Sequence, residues 1–150
     1  MGARQSLLDG NSSDMIELFF LKAGRPRYLQ PGDRLITEGH AVPSVFLITE
    51  GELVLKKRSE KDRRDKVIGG SRFQGELLGE LSLLLGQPAA ISVDAASTGK
   101  AAVLEIPQSD MVDMLIKDPT MAGGFFRLLG STLGERTTEM SAAMRKTVVN

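Results

Sequence analysis

Residues 73–93 read FQGELLGELSLLLGQPAAISV and change local structure twice within a short span. A strand-like piece leads into Gly79 and Glu80, which open a short apolar helix predicted over 81–85, and residues 86–88 turn the chain into a further strand. A glycine before a helix lets backbone N–H groups face a ligand without steric hindrance. A carboxylate beside those N–H groups repels an anion, so Glu80 is better suited to accept hydrogen bonds from a sugar diol or to cap its own helix. Gly-Glu alone is weakly diagnostic, and its meaning depends on the sequence around it.

The surrounding region, residues 27–107, consists of short apolar stretches separated by turns rich in glycine and proline. This pattern is typical of an all-β sandwich or barrel. Gly51 separates two apolar stretches so closely that only a hairpin can join them. The sequence predicts strands at 27–29, 34–37, 44–50, 52–58, 66–69, 90–95 and 101–106.

Apolar residues at helical spacing predict helices on both sides of the β region. A first helix begins near Ser13 and ends before Gly24 and Pro26. Two more follow residue 107, the second of which begins near Thr120. We expect a disordered lead at 1–12, one domain at 13–140 and a frayed tail at 141–150.

The composition argues against several function classes. The 19 Lys and Arg residues balance the 19 Asp and Glu residues, and the chain has no cysteine and one histidine, His40. A neutral chain is poorly suited to bind nucleic acid or a membrane surface. Without cysteine or a second histidine, disulfides, thiolate nucleophiles and the common zinc sites are absent. We therefore expect a protein that is not an enzyme and has no cofactor or metal. We also expect it in the cytoplasm, because the sequence shows no secretory leader and no membrane-length apolar run.

Three stretches, in this order, carry a resemblance to a known family. They are LQPGDRLITEG at 29–39, VFLITEGELVL at 45–55, and GELSLL at 79–84 with PAAISV after it. From about residue 14 to 140 the chain resembles the cyclic nucleotide-binding domains of cAMP receptor proteins, cAMP-dependent kinase regulatory subunits and cyclic-nucleotide-gated channels. The resemblance implies a mainly β fold: an eight-stranded, cupin-like jelly-roll β-barrel with an N-terminal helix and two C-terminal helices that act as hinge and lid.

The resemblance also implies roles for individual residues. The carboxylate of Glu80 would accept the ribose 2′-hydroxyl of cAMP or cGMP, and backbone amides near Leu81, Ser82 and Ala90 would meet the cyclic phosphate. The lid helix, around 121–133, would cap the purine. The implied ligand-binding residues are Gly79, Glu80, Leu81, Ser82, Ala89 and Ala90, with Phe125 or Phe126 in the lid.

One position departs from the family pattern. Where the family has an arginine that pairs with the phosphate, this chain has Ala89, and residues 73–99 contain no Lys, Arg or His but three acidic residues. Losing one partner of a buried charge pair costs roughly 2–5 kcal/mol. A hydrogen bond from Ser82, worth about 0.5–1.5 kcal/mol, does not replace it. We therefore expect weakened phosphate binding.

Three functions remain open at this point. The chain is a regulatory sensor of cAMP or cGMP that relays occupancy through its C-terminal helices, a domain retuned to an uncharged nucleoside, or a ligand-free module for protein interaction and dimerisation. The resemblance implies a homodimer through the C-terminal helix, or a fused output domain, as further partners. Residues 56–66 hold seven basic and three acidic residues. We interpret them as a solvated hairpin end rather than a patch for an anionic partner.

Overall fold

The fold consists of two four-stranded antiparallel sheets with helices at both ends of the β region. The structure is a computed structural model that describes residues 12–130. In the first sheet the strand order is β1-β8-β3-β6, and in the second it is β2-β7-β4-β5. The strands are β1 (Arg25–Leu29), β2 (Arg34–Ile36), β3 (Ser44–Glu50), β4 (Leu53–Arg58), β5 (Asp65–Val67), β6 (Leu77–Leu78), β7 (Ser92–Ala95) and β8 (Ala101–Pro107); the helices are α1 (Ser12–Ala23), α2 (Glu80–Leu85), α3 (Gln108–Lys117) and α4 (119–130).

Strand β3 is buried on both faces, which explains its unbroken apolar run. Phe46 and Ile48 point into the core between the two sheets, whereas Val45 and Leu47 point into a second core beneath the helices. Alternate side chains of a strand face opposite sides, so a strand with a core on each side carries apolar residues throughout. The second core includes residues from α1, α3 and α4, namely Ile16, Phe20, Met111, Phe125 and Leu129.

An ion cluster joins all four strands of the second sheet. The buried carboxylate of Asp94 on β7 accepts hydrogen bonds from Nε of Arg34 on β2 (2.7 Å) and from Nζ of Lys56 on β4 (2.9 Å). Arg34 also donates to Asp65 on β5 at 2.8 Å. Burial of the Asp94 carboxyl acts to raise its pKa, but the bonds from Arg34 and Lys56 outweigh burial and hold that pKa below its ordinary value.

The jelly roll with flanking helices is confirmed, with one correction to its form. The eight strands of the described region form two sheets, not the closed barrel that was predicted. Residues 77–78, expected to be strand-like, form β6 on the edge of the first sheet. The expected lead and tail fall outside the described residues, apart from Ser12, which begins α1. None of the helices in residues 12–130 is long and apolar enough to cross a membrane.

Gly79 makes the turn from β6 into α2 in a single residue. Its φ is +84°, a value that favours glycine. A Cβ at this position would lie 2.5 Å from the carbonyl oxygen of Ser44 and 3.3 Å from Cγ1 of Val42. The absence of a side chain therefore allows α2 to begin directly against the start of β3.

We predict that Asp94→Asn destabilises the fold by about 1–3 kcal/mol at neutral pH, because it removes the charged acceptor that holds Arg34 and Lys56. The native pKa of Asp94 is depressed, so its contribution is complete above the unfolded value of about 3.9 and is lost as the pH falls through the native value. Denaturant unfolding of wild type and variant between neutral and acidic pH measures this effect.

Glu105→Gln is the control, because Glu105 faces Arg27 at 3.8 Å in a more open pair. Its loss should change the free energy of unfolding by less than about 0.5 kcal/mol. Equal effects of the two substitutions would contradict the structural role of the Asp94 cluster.

We predict that Gly79→Ala destabilises the protein by more than about 3 kcal/mol, because left-handed backbone strain adds to a clash with the Ser44 carbonyl. Gly32→Ala is the matched control: Gly32 has φ +83° with open space around it. Its cost should be backbone strain alone, about 1–2 kcal/mol. Thermal and denaturant unfolding of both variants separates the cost of backbone strain from the cost of the clash. Similar losses of stability in the two variants would show that the close approach to Ser44 is unimportant.

Candidate functional site

A cavity of about 130 Å³ lies between α2, the loop that follows it and the inner face of the strands. Its wall is apolar, and its polar groups come from the α2 side and from one arginine. Five of the six ligand-binding residues predicted from the sequence line it: Gly79, Leu81, Ser82, Ala89 and Ala90. The other lining residues are Ile36, Val42, Leu55, Arg72, Leu78, Leu85, Gln87, Pro88, Ile91 and Val93.

Glu80, the sixth predicted residue, is the first residue of α2 and is 0% exposed. Its chain neighbours Gly79 and Leu81 both line the cavity. A carboxylate removed from water in this way is costly unless hydrogen bonds or a positive charge compensate it. Glu80 therefore places a strong acceptor in the interior at the base of the cavity helix.

Arg72 is the one charged residue among the described residues that line the cavity. It pairs with Leu53, since Arg72 N–H donates to the Leu53 carbonyl (2.8 Å) and Leu53 N–H donates to the Arg72 carbonyl (2.9 Å). Directly opposed residues of an antiparallel pair share a face, and Leu53 belongs to the core between the sheets. Arg72 accordingly points inward and is 4% exposed.

Arg72 is not among the predicted site residues, because it lies just before residues 73–99, the stretch that contains no positive charge. In the sequence an arginine just before an apolar stretch looks like a surface residue. Only its pairing with Leu53, which is distant in the sequence, turns it inward. The residues between β5 and Arg72 show no strand pattern from which the pairing with Leu53 could be predicted.

The loop that follows α2 is held in place by its backbone. Gly39 N–H donates to the Ala89 carbonyl (2.8 Å), and Ala89 N–H donates to the His40 carbonyl (2.9 Å). The side chain of Ala89 is buried and brings no charge to the cavity. The exposed His40 contributes to this arrangement through its backbone carbonyl.

Lys57 stands at the mouth of the cavity, on the same side of β4 as the lining residue Leu55. Its Nζ donates to the Ala90 carbonyl at 3.0 Å and pairs with Glu38 at 3.1 Å. The side chain is 48% exposed. The hairpin interpreted as a solvated end thus supplies one cation that contacts the cavity loop.

The two residues predicted for the lid do not line the cavity. Phe125 is fully buried in the core beneath the helices, and Phe126 is half exposed beside it, with ring centroids 5.9 Å apart. Their predicted contact with a purine stays a prediction. It requires a displacement of α4 from the position seen here.

Two further features of the described residues bear on the chemistry. Within residues 12–130, no group of three or more His, Cys, Asp or Glu side chains is arranged to hold a metal ion. A second, open depression of about 540 Å³ lies among turn residues that include Gly51, Phe73 and Lys100. It contains none of the predicted ligand residues.

Several solved structures share this fold. The catabolite activator protein of Thermus thermophilus is 21% identical, with a TM-score of 0.68 over 83% of this chain and 56% of that one. The c-di-GMP-responsive regulator CLP of Xanthomonas campestris is 16% identical, with a TM-score of 0.74 over 85% of this chain and 60% of that one. The regulatory domain of Toxoplasma gondii PKA, solved with cAMP, is 19% identical, with a TM-score of 0.60 over 75% of this chain and 40% of that one.

The chain spans roughly half the length of the first of these structures and still less of the last. At such identities the likeness shows the fold alone. No curated protein matches the sequence significantly. The family model for the cyclic nucleotide-binding domain, however, matches residues 26–118, a stretch that contains α2, the cavity loop and both sheets except for Arg25 at the start of β1. The chain therefore belongs to the cyclic nucleotide-binding domain family.

Proposed function

We propose that this domain is a regulatory sensor that binds cAMP or cGMP in the cavity beside α2. The observation that carries the proposal is the convergence of Gly79, Leu81, Ser82, Ala89 and Ala90 on one cavity, with Glu80 buried at its edge. Membership of the family supports a nucleotide as the ligand class. The apolar wall suits a purine or ribose, and the few polar groups suit a diol and a phosphate.

In this proposal Glu80 accepts hydrogen bonds from the ribose 2′-hydroxyl. Backbone amides near Leu81, Ser82 and Ala90 face the phosphate. The Ala89 amide is already bonded to the His40 carbonyl, and the Ala89 side chain offers no charge. The loop by itself therefore binds phosphate more weakly than a loop with an arginine at this position.

The size of the cavity connects binding to movement. About 130 Å³ is less than the roughly 300–1,000 Å³ of typical small-molecule pockets. We expect a nucleotide to displace α2 or the loop at 86–91 outward as it enters. Binding thus favours a conformation different from the one described, and this is the requirement for a ligand-driven switch.

A hydrogen-bonded path leads from the cavity to the C-terminal helices. The side chain of Val42 lines the cavity, and its carbonyl accepts a hydrogen bond from Nε2 of Gln108 at 2.6 Å. The backbone N–H of Gln108 donates to the Pro43 carbonyl at 2.8 Å. Since Gln108 is the first residue of α3, movement at Val42 is transmitted directly to that helix.

Titration calorimetry with cAMP, cGMP and adenosine tests the ligand class. We expect one cyclic nucleotide to bind with a Kd on the order of micromolar to tens of micromolar and more tightly than adenosine. Tighter binding of adenosine would contradict the proposal and favour a domain retuned to an uncharged nucleoside. No binding of any of the three would favour a ligand-free interaction module, an outcome with which the small cavity agrees.

Ala89→Arg tests the position of the phosphate. The new guanidinium would reach the phosphate from the loop and raise cyclic-nucleotide affinity by at least about tenfold, while adenosine affinity stays unchanged. Thr98→Arg is the control, since it adds the same charge in an exposed turn away from α2. Equal effects of the two arginines, or none from Ala89→Arg, would show that the phosphate does not lie beside residue 89.

Gln108→Leu tests the relay. Ligand binding should change amide hydrogen exchange in α3 and α4, and this change should be reduced in the variant while affinity stays within about threefold of wild type. Ser109→Ala, at the next, exposed position, should leave the change intact. An unreduced response in Gln108→Leu would mean that occupancy reaches the helices by another route.

A further inference from the structure

We propose that Arg72 binds the negatively charged phosphate of the ligand, and so supplies from the sheet the charge that the loop lacks at Ala89. This inference rests on the proposed function and names the residue that makes the site select a nucleoside cyclic phosphate over an uncharged nucleoside. A cyclic phosphate diester carries one negative charge, for which a guanidinium is a strong hydrogen-bonding partner.

The position of Arg72 supports this role. Its pairing with Leu53 directs the side chain to the interior, where it lines the same cavity as Ser82 and Ala90. An arginine buried to this extent is rare unless an anion or several acceptors compensate its charge. Arg72 enters the lining from the segment paired with Leu53, whereas Ser82 belongs to α2 and Ala90 to the loop after it.

Contacts with backbone carbonyls help to hold the guanidinium in place. Nη1 of Arg72 lies 3.2 Å from the Gly70 carbonyl and 3.5 Å from the Ser71 carbonyl. The second distance is beyond the usual range of a hydrogen bond. Because a guanidinium carries five N–H donors, it can keep these carbonyls and hold an anion at the same time.

A cation in the cavity lining would favour the binding of a cyclic phosphate near Glu80. Glu80 is fully buried beside the cavity, and a cyclic phosphate would add a second negative charge to the same region. Without a cation the two would repel each other in a medium of low dielectric constant. Arg72 is the charged residue of the described cavity lining that can offset this repulsion.

Lys57 is the competing cation, and the structure favours Arg72 over it. Lys57 is half exposed at the mouth and already pairs with Glu38 at 3.1 Å. Water screens an exposed charge, whereas a buried one interacts more strongly. Lys57 therefore contributes to the loop's position through the Ala90 carbonyl and little to the binding of phosphate.

The test compares Arg72→Met and Lys57→Met in titrations with the better-bound cyclic nucleotide and with its parent nucleoside. Arg72→Met should weaken the cyclic nucleotide by at least about 30-fold and leave the nucleoside within about threefold of wild type. Lys57→Met should weaken the cyclic nucleotide by less than about threefold. An equal loss for both ligands in Arg72→Met would assign Arg72 a structural role, and a larger loss in Lys57→Met would place the phosphate at the mouth; either result overturns the inference.

Two further variants keep the test decisive if Arg72→Met does not fold, as judged by circular dichroism. Arg72→Lys retains the charge but loses the planar fork, and should weaken the cyclic nucleotide alone, by about 3- to 10-fold. Arg72→Lys combined with Ala89→Arg adds a guanidinium from the loop and should restore the cyclic-nucleotide affinity that Arg72→Lys loses. Unchanged cyclic-nucleotide affinity in Arg72→Lys, or an equal loss for the nucleoside, overturns the inference.

Failure of this inference is distinguishable from failure of the proposed function. If the unmutated protein binds a cyclic nucleotide more tightly than its nucleoside and Arg72→Met binds it equally well, the proposed function stands and Arg72 is not the phosphate ligand. If the unmutated protein binds no cyclic nucleotide, both are overturned.

Discussion

The contact between Gly79 and the Ser44 carbonyl is the constraint on which the cavity depends. With a φ of +84° and no side chain, Gly79 lets β6 turn into α2 within one residue and brings the helix directly against the start of β3. A helix held further out would leave no enclosed space between itself and the apolar wall. The same contact places α2 next to Val42, through which the cavity is connected to Gln108 and α3. One close approach of backbone to backbone thus shapes the cavity and brings α2 next to the residue whose carbonyl is hydrogen-bonded to α3.

The net charge of zero conceals a specific arrangement of charges. One set of charges, around Asp94, joins the four strands of the second sheet and stabilises that sheet. Arg72 is instead buried in the lining of the cavity, and Glu80 is buried at the start of α2. Under the proposed function, Glu80 binds the ribose diol and Arg72 binds the negatively charged phosphate. In this account Arg72 compensates for the missing charge at Ala89. The loop alone binds phosphate weakly, as expected from the sequence, but the cavity as a whole does not.

Much of the fold could be predicted from the sequence because it depends on local signals. The turn glycines, the apolar run of β3 and the helical spacing after residue 107 indicated the strands and helices to within a few residues. The predicted residues between 79 and 90 that line the cavity are close in sequence, and the family resemblance carried by three stretches of the chain was needed to predict them. Arg72 could not be found in this way, because its inward direction depends on pairing with Leu53. The open arrangement of two sheets likewise depends on which edges pair, and local sequence does not encode this.

The central claim is that a phosphate binds inside the cavity against Arg72. A crystal structure of the unmutated protein with its better-bound cyclic nucleotide tests this claim most directly. The account predicts a phosphate oxygen about 2.7–3.0 Å from a guanidinium nitrogen of Arg72, with the ribose diol at Glu80 and α2 displaced outward. A nucleotide whose phosphate lies at the mouth beside Lys57, with no phosphate oxygen within hydrogen-bond distance of Arg72, would contradict it.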